Sequence, residues 1–191
     1  AAMAGVRNSL KDPVEYVSVD IGGTVNMLEF ARRNEVGKFV FASSSSVYGK
    51  NSKVPFSEDD PLEGQVSPYA TAKRAGEIYC QTYSDIYNIP IVALRFFTVY
   101  GPRQRPEMAI HLFTRLIMEE NPIPVFGDGS TARDYTYIDD IIEGLYRAML
   151  YDRTRFEIFN LGNSKTVKLS ELIASIEQVT GEKAIIDRKP M

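Results

Sequence analysis

One segment of the chain reads Ser67-Pro68-Tyr69-Ala70-Thr71-Ala72-Lys73. Ser67 is a favourable N-cap residue, and Pro68 suits the first helical position, where its missing N–H costs no hydrogen bond. Residues four apart share one face of a helix, so Tyr69 and Lys73 are predicted to point the same way. A nearby cation favours the phenolate, which would make Tyr69 a usable base. The alternative is a tyrosine and a lysine on the surface of an ordinary helix.

Helices and strands alternate around this segment. The spacing of apolar residues predicts helices over 14–33 and 68–87 and strands over 38–42 and 91–94. It also predicts helices over 107–120, 139–150 and 167–180, strands over 122–126, 132–138 and 156–161, and no element after Lys183. The pair Gly22-Gly23 inside the first helix predicts a close packing contact there, because glycine lowers helix stability. The alternation indicates an α/β fold with a parallel, helix-covered sheet, in which ligands bind at the carboxyl ends of the strands.

Composition excludes several classes of protein. The chain has 191 residues, of which 44% are hydrophobic and 25% charged, as in ordinary globular proteins. With 22 basic and 25 acidic residues, it has no basic excess for nucleic acid or a membrane surface. Cys80 is the single cysteine, which fits a reducing, cytoplasmic location. His111 is the single histidine and lies in no ligand-like cluster, so no metal site is predicted.

Four serines, Ser43 to Ser46, follow the predicted strand over 38–42. Hydroxyl groups at the carboxyl end of a buried strand can donate hydrogen bonds to a substrate oxygen. The alternative is a polar turn, in which serine is common.

The chain resembles the extended short-chain dehydrogenase/reductases, and more narrowly their NAD-dependent nucleotide-sugar epimerases. The segments that carry the resemblance, in order, are Ser43-Ser44-Ser45-Ser46-Val47-Tyr48-Gly49, Ser67 to Lys73, Leu94-Arg95-Phe96-Phe97-Thr98-Val99-Tyr100-Gly101-Pro102, and Gly127-Asp128-Gly129 with Arg133-Asp134-Tyr135. The resemblance implies an incomplete Rossmann-like doubly wound parallel sheet and a small α/β substrate-binding lobe. Residues 1–102 would be the C-terminal half of the NAD-binding domain and residues 103–191 the lobe, with some elements interleaved.

The resemblance also implies roles for single residues. Tyr69 would be the catalytic base, Lys73 would bind the nicotinamide ribose and lower the pKa of the tyrosine, and Ser44 would hydrogen-bond the reacting sugar hydroxyl. The further residues that match cofactor contacts are Ala42, Ser43, Phe96 and Phe97. Those that match contacts to a UDP-sugar are Ser44, Ser45, Ser46, Thr98, Arg105, Val125, Phe126 and Arg133. For Arg133, which would pair with the diphosphate, the alternative is a surface ion pair with Asp134 or Asp139.

Positions 45 and 46 discriminate within the family. Sugar 4,6-dehydratases and UDP-glucuronate decarboxylases carry acidic residues where this chain has Ser45 and Ser46, so these chemistries are disfavoured. The motifs look most like UDP-glucuronate 4-epimerases. A UDP-glucose/UDP-galactose 4-epimerase and a non-catalytic nucleotide-sugar-binding fragment remain alternatives. Relatives form homodimers through helices that match residues 14–33 and 68–87, and the same arrangement is expected here.

The chain departs from the family in three places. Ala72 stands where the family usually has Ser or Thr, and Asp20 where it often has Asn. The third departure is that no G-x-x-G-x-x-G turn occurs in these residues. That turn binds the pyrophosphate of the cofactor in the family, and the resemblance implies that its strand would precede Ala1. We therefore expect these 191 residues alone to bind NAD weakly or not at all.

Overall fold

The computed structural model describes residues 2–190 and divides into two compact units. The first comprises Ala1–Phe97 with Ile141–Leu161, and the second Thr98–Asp140 with Gly162–Met191. The helices are α1 Val6–Lys11, α2 Pro13–Tyr16, α3 Gly23–Arg33, α4 Pro68–Tyr87, α5 Ala109–Met118, α6 Ile138–Leu150 and α7 Leu169–Thr180. The strands are β1 Phe39–Ser44, β2 Ile91–Phe96, β3 Thr98–Tyr100, β4 Ile123–Phe126, β5 Ala132–Tyr137, β6 Phe156–Leu161, β7 Thr166–Lys168 and β8 Ile186–Lys189. The predicted functional boundary at residue 102 stays a prediction.

The sheet of the first unit has the order β1-β2-β6, and both pairs of strands are parallel. Helices cover both of its faces. On one face Phe41 and Ile91 pack with Leu28 of α3 and Cys80 of α4. On the other face Val92 and Leu94 pack with Ala148 of α6. The predicted α/β fold with a doubly wound parallel sheet is therefore confirmed.

Helix α4 begins and ends where the local sequence predicts. The Ser67 Oγ accepts a hydrogen bond from the backbone N–H of Ala70 at 3.1 Å, and Pro68 occupies the first turn. The helix ends at Asn88, whose left-handed backbone (φ 58°) stops the helical repeat. Near its middle, Gly76 lies against Phe41, and a Cβ at this position would overlap the phenyl ring. Glycine therefore lets α4 approach β1 closely.

The second unit contains two small sheets. In one, β3 pairs parallel with β5 and β5 pairs antiparallel with β7, and in the other β4 pairs parallel with β8. Helices α5 and α7 supply the rest of the core, in which Phe113 and Ile117 pack with Val125, Leu172 and Ile176. Within residues 2–190, no helix combines the length and apolarity needed to cross a lipid bilayer.

The structure differs from the sequence predictions in five places. Residues 186–189 form β8, where no element was predicted, and residues 166–168 form β7 before α7 begins at Leu169. Ser43 and Ser44 belong to strand β1, and only Ser45 and Ser46 continue into a 3₁₀ helix, Ser45–Tyr48. The predicted helix over 14–33 is helical throughout but contains a π-helical turn, Val17–Gly22. The close contact expected at Gly22-Gly23 is not found within residues 2–190, since a Cβ on Gly23 would meet no heavy atom within 4 Å and one on Gly22 only the Val17 carbonyl oxygen at 3.9 Å.

Candidate active site

Lys73 connects helix α4 to the serine-bearing end of strand β1. Its Nζ donates a hydrogen bond to the backbone carbonyl of Ala42 at 2.9 Å. The ammonium lies 5.5 Å from the centre of the Phe41 ring and 5.8 Å from that of the Tyr69 ring, within the range of a cation–π interaction. The predicted face shared by Tyr69 and Lys73 thus meets the strand end at which Ser44 lies.

Lys73 is a buried cation. Only 7% of the residue is exposed, and burial lowers the pKa of its ammonium from the ordinary value of 10.5, while the charge of Asp20 opposes that shift. Asp20 is itself buried in the π-helical turn, where its Oδ1 accepts a hydrogen bond from the Met3 backbone N–H at 2.6 Å. Its Oδ2 has no hydrogen-bond partner among residues 2–190. The charge state of Lys73 is therefore sensitive to one nearby carboxylate.

The ring of Tyr69 is half-buried and packs edge-on against Tyr16. The two ring centres lie 6.3 Å apart with an interplanar angle of 86°. Tyr16 is fixed in turn, because its hydroxyl lies 3.1 Å from the backbone carbonyls of both Ala4 and Gly5. The segment before α2 therefore helps to hold the ring of the predicted base.

The first two serines use their hydroxyl groups differently. Successive side chains of a strand point to opposite faces, so Ser43 and Ser44 diverge. Ser43 Oγ donates to Oε1 of Glu77 on α4 at 2.6 Å, so this hydroxyl is engaged within the protein. Ser44 Oγ accepts the backbone N–H of Ser46 at 3.2 Å and caps the 3₁₀ helix. No residue among 2–190 accepts the proton of the Ser44 hydroxyl, which leaves that proton for a ligand.

Two predicted cofactor contacts line a groove on the first unit. Ala42 and Phe96 lie at its wall, and the groove has a volume of about 390 Å³. The other lining residues are Lys38, Val40, Leu145 and Met149. Phe97 follows at the end of β2, where its backbone N–H donates to the Leu161 carbonyl at 3.1 Å. The groove runs along the sheet beside the strand that carries Ser44.

A buried ionic network next to Ser43 escaped the sequence analysis. Arg95, which is 1% exposed, donates from Nε to Glu77 Oε1 at 2.9 Å and from Nη2 to Oε2 at 3.1 Å. Its Nη1 donates to the Tyr48 hydroxyl at 2.9 Å, and that hydroxyl donates to Asn160 Oδ1 at 2.7 Å. One feature of the sequence could have indicated this network. An arginine lies within the apolar strand β2, and a charged side chain is rarely buried without a partner.

The remaining predicted contacts lie in the second unit. Thr98 begins β3 opposite Tyr135, and the exposed Arg105 pairs with Glu107 at 3.2 Å. Val125 is 2% exposed and belongs to the core, so its side chain faces the protein interior. Phe126, the next residue of β4, is 41% exposed. Of Val125 and Phe126, therefore, only Phe126 has a side chain exposed enough to contact a ligand.

Arg133 lies exposed on β5. The alternative of a surface ion pair is not found, because Arg133 makes no salt bridge within residues 2–190. Its neighbour Asp134 instead accepts hydrogen bonds at Oδ1 from Thr136 Oγ1 at 3.0 Å and from the Asn163 backbone N–H at 2.9 Å. The guanidinium of Arg133 is thus open to an anion.

Neither the cysteine nor the histidine offers a competing site. Burial raises the pKa of the Cys80 thiol to about 12, so it is not a reactive thiolate at neutral pH. His111 is exposed on α5. No cluster of three or more metal-ligating side chains occurs in the part of the chain described, residues 2–190.

Several proteins with similar sequences and structures are nucleotide-sugar epimerases by name. UDP-glucuronate 4-epimerase from Thermodesulfobacterium geofontis is 44% identical over 185 residues, which cover 96% of this chain and 56% of that protein. UDP-glucuronic acid 4-epimerase from Bacillus cereus, solved with UDP-glucuronic acid and NAD, is 40% identical with a TM-score of 0.91, over 100% of this chain and 60% of that one. UDP-glucose 4-epimerase from Thermotoga maritima, solved with UDP-glucose, is 32% identical with a TM-score of 0.93, over 100% and 62%.

The chain thus spans about three-fifths of the length of these relatives. Residues 1–162 match the family described as the NAD dependent epimerase/dehydratase family. That match includes β1 with its serines, the tyrosine and lysine of α4, and strands β2 to β6. The chain belongs to the NAD dependent epimerase/dehydratase family.

Proposed function

We propose that the protein carrying this chain interconverts two UDP-sugars that differ in configuration at C4, with NAD as its cofactor. The observation that carries the proposal is the hydrogen bond from Lys73 Nζ to the Ala42 carbonyl. This bond holds the ammonium of α4 at the strand end that carries Ser44, with the centre of the Tyr69 ring 5.8 Å from the ammonium. A base, a cation and a hydroxyl donor are the groups that proton removal from a sugar alcohol requires.

The described residues fit the reactive end of NAD. The hydrogen bond to Ala42 uses one of the three N–H donors of Lys73, which leaves two for ribose hydroxyls. Ala42 and Phe96 line the groove beside strand β1, whose Ala42 carbonyl accepts the hydrogen bond of Lys73. Bound NAD supplies reversible acceptance of a hydride from C4 of the sugar.

Residues of this chain would transfer the proton of the sugar C4 hydroxyl. Tyr69 Oη, as the phenolate, would take the proton of the C4 hydroxyl and give it back after the sugar has presented its other face. The Lys73 ammonium stabilises that phenolate by its charge. Ser44 Oγ donates to the reacting oxygen and orients it. Arg133, whose planar guanidinium matches phosphate oxygens, would hold the diphosphate.

UDP-glucuronate is the substrate that we propose. The hydroxyl groups of Ser45 and Ser46 could hold the sugar carboxylate with neutral hydrogen bonds. The relatives named for glucuronate are 44% and 40% identical to this chain, and the structure named for UDP-glucose is 32% identical. UDP-glucose remains the second candidate, because that structure matches the fold equally well.

The test is an assay of the whole protein with UDP-glucuronate and UDP-glucose in parallel. We expect formation of UDP-galacturonate and a turnover about 10²-fold to 10⁴-fold lower for Tyr69→Phe, the range for loss of a general base. Turnover of the neutral sugar alone would overturn the glucuronate proposal. Full turnover by Tyr69→Phe would overturn the mechanism, and NAD-independent binding of a UDP-sugar without turnover would favour a binding module.

We also propose a cytoplasmic homodimer that pairs the helices over 14–33 and 68–87 of two copies. Large apolar side chains are exposed on both, Phe30 on α3 by 56% and Ile86 on α4 by 62%. Sedimentation velocity should show a dimer that Phe30→Glu and Ile86→Glu convert to a monomer. Ile142→Glu, at a 54% exposed position on α6, is the control and should leave the dimer intact. A monomeric wild type would refute the dimer.

A further inference from the structure

Glu77 lies one helical turn beyond Lys73 on α4 and is among the most buried charged residues of the chain, at 1% exposure. Its carboxylate accepts four hydrogen bonds. Two come from Arg95, one from Ser43 Oγ at 2.6 Å and one from Arg74 Nη1 at 3.1 Å. A buried carboxylate with this many charged or polar donors is fixed in position.

The bond between Glu77 and Ser43 ties α4 to β1 at the strand end that carries the site. Ser43 lies between Ala42, whose carbonyl accepts the Lys73 ammonium, and Ser44, the predicted donor to the substrate. Because the three residues are consecutive, a shift of Ser43 would move the acceptor of Lys73 and the hydroxyl of Ser44 together. Lys73 and Glu77 thus hold the same strand end from adjacent turns of one helix.

Arg95 anchors the carboxylate from the neighbouring strand. Its two bonds to Glu77 fix the orientation of the carboxylate, and its bond to the Tyr48 hydroxyl reaches the 3₁₀ helix that follows Ser44. The Tyr48 hydroxyl donates in turn a hydrogen bond to Asn160 Oδ1 on β6. The network therefore joins β1, β2 and β6 at their carboxyl ends with the helix that bears Tyr69 and Lys73.

We propose that Glu77, anchored by Arg95, is a positioning residue that sets the end of β1 against α4 through Ser43, and so holds Ser44 in register with Tyr69 and Lys73. This inference rests on the proposed epimerase function for its effect on turnover. The hydrogen bonds of Glu77 to Ser43 and Arg95 do not depend on which substrate the protein binds. Glu77 would act through Ser43 and touch neither sugar nor cofactor.

Ser43→Ala is the sharpest test, because it removes the link and leaves the Glu77–Arg95 ion pair in place. In the whole protein with NAD, we expect kcat to fall about tenfold or more with KM within about twofold of the wild type, since small misplacements of reacting groups cost rate more than binding. Ser43→Thr keeps the hydroxyl and should restore kcat to within about threefold.

Ser84→Ala is the matched control. Ser84 is also a fully buried serine, and its hydroxyl donates to the Arg155 carbonyl at 3.3 Å. It should lose some stability but keep the wild-type kcat. An unchanged kcat in Ser43→Ala would overturn the proposal, as would equal losses of kcat in Ser43→Ala and Ser84→Ala.

Hydrogen exchange of the whole protein separates this inference from the proposed function. In Ser43→Ala we expect amides over residues 42–48 to exchange about tenfold faster, the effect of losing a charge-assisted hydrogen bond, and in Ser84→Ala to exchange as in the wild type. Unchanged exchange over 42–48 would refute the positioning role. A wild type without epimerase activity would refute the proposed function, while the exchange result would still decide on Glu77.

Discussion

Glu77 and Arg95 bury opposite charges at 1% exposure each, so each depends on the other. We expect Glu77→Leu to lower the free energy of unfolding by about 3–5 kcal/mol, because it leaves the arginine buried and uncompensated. The double variant Glu77→Leu, Arg95→Met should lose less than Glu77→Leu alone, since no buried charge then remains unpaired. Urea unfolding measures both. A double variant less stable than either single variant would contradict this account.

Asp20 is the residue that opposes the effect of burial on Lys73. We expect Asp20→Asn to lower the pKa of Lys73 further below 10.5, because it removes the opposing negative charge. NMR titration of labelled lysine side chains measures this pKa. Glu15→Gln, which changes an exposed carboxylate in α2, is the control and should leave the pKa of Lys73 unchanged.

The sign of the resulting pH dependence follows from the direction of the shift. The folded-state pKa of Lys73 lies below its unfolded value, so between the two the unfolded chain binds more protons. This residue therefore contributes a stability that rises with pH in that window. In Asp20→Asn the window should widen toward lower pH, and a raised pKa of Lys73 would refute the assigned role of Asp20.

Residues near one another in sequence were predictable, and long-range partners were not. The N-cap Ser67 and the spacing of Tyr69 and Lys73 are local signals, and as predicted the structure places Ser67 at the N-cap of α4 and the other two residues on the helix. The acceptor of Lys73 lies 31 residues away, and Glu77 lies 18 residues from Arg95. A single sequence carries no signal for such pairs, apart from the arginine in an apolar strand.

The contact between α4 and β1 depends on Gly76. We expect Gly76→Ala to lower the free energy of unfolding by about 1–3 kcal/mol, because the added Cβ would overlap the Phe41 ring in a packed core. Gly23→Ala is the matched control, since that helical site is open in the described chain. It should instead raise the free energy of unfolding by about 0.5–1 kcal/mol.

Urea unfolding of the two glycine variants measures both effects. Equal changes in the two would show that Gly76 serves no packing role. Gly76→Ala should also weaken the Lys73–Ala42 hydrogen bond, because α4 has to move away from β1 to admit the methyl group. A crystal structure of Gly76→Ala with α4 unmoved would contradict that expectation.

Elements with their own local signals were predicted with correct bounds. Helix α4 has a cap, a proline and a stop signal, and its predicted range of 68–87 is confirmed, as is strand β6 over 156–161. Strand β8 was missed because it exists through pairing with β4, some sixty residues earlier in the chain. The predicted helix over 167–180 included two residues of β7 for the same reason, since only pairing with β5 makes residues 166–168 a strand.

At the scale of the whole molecule, the chain crosses between its two units at Phe97–Thr98, Asp140–Ile141 and Leu161–Gly162. The predicted catalytic residues and cofactor contacts all lie in the first unit. Most predicted contacts to the UDP-sugar, from Thr98 onward, lie in the second. The ordered motifs predicted both groups of residues, while the implied boundary at residue 102, with some elements interleaved, stays a prediction.

Binding of NAD is the test that belongs to the chain as a whole. We expect calorimetric titration of the 191-residue chain to show no saturable binding of NAD up to about 1 mM, which corresponds to about −4 kcal/mol. The physical reason is that these residues contain no glycine-rich turn whose N–H groups would bind the pyrophosphate. The Bacillus cereus epimerase, solved with NAD, is the positive control. Micromolar affinity of the chain would refute this prediction.

The hydrogen bond from Lys73 to Ala42 has a consequence for engineering. The lysine is held by a main-chain oxygen, which every amino acid provides, whereas the Ala42 side chain is exposed and lines the groove. Replacing Ala42 with a larger or polar residue would therefore reshape the groove without removing the lysine's anchor. A library of variants at this single codon could therefore vary the shape and polarity of the groove while the main-chain anchor of Lys73 stays in place.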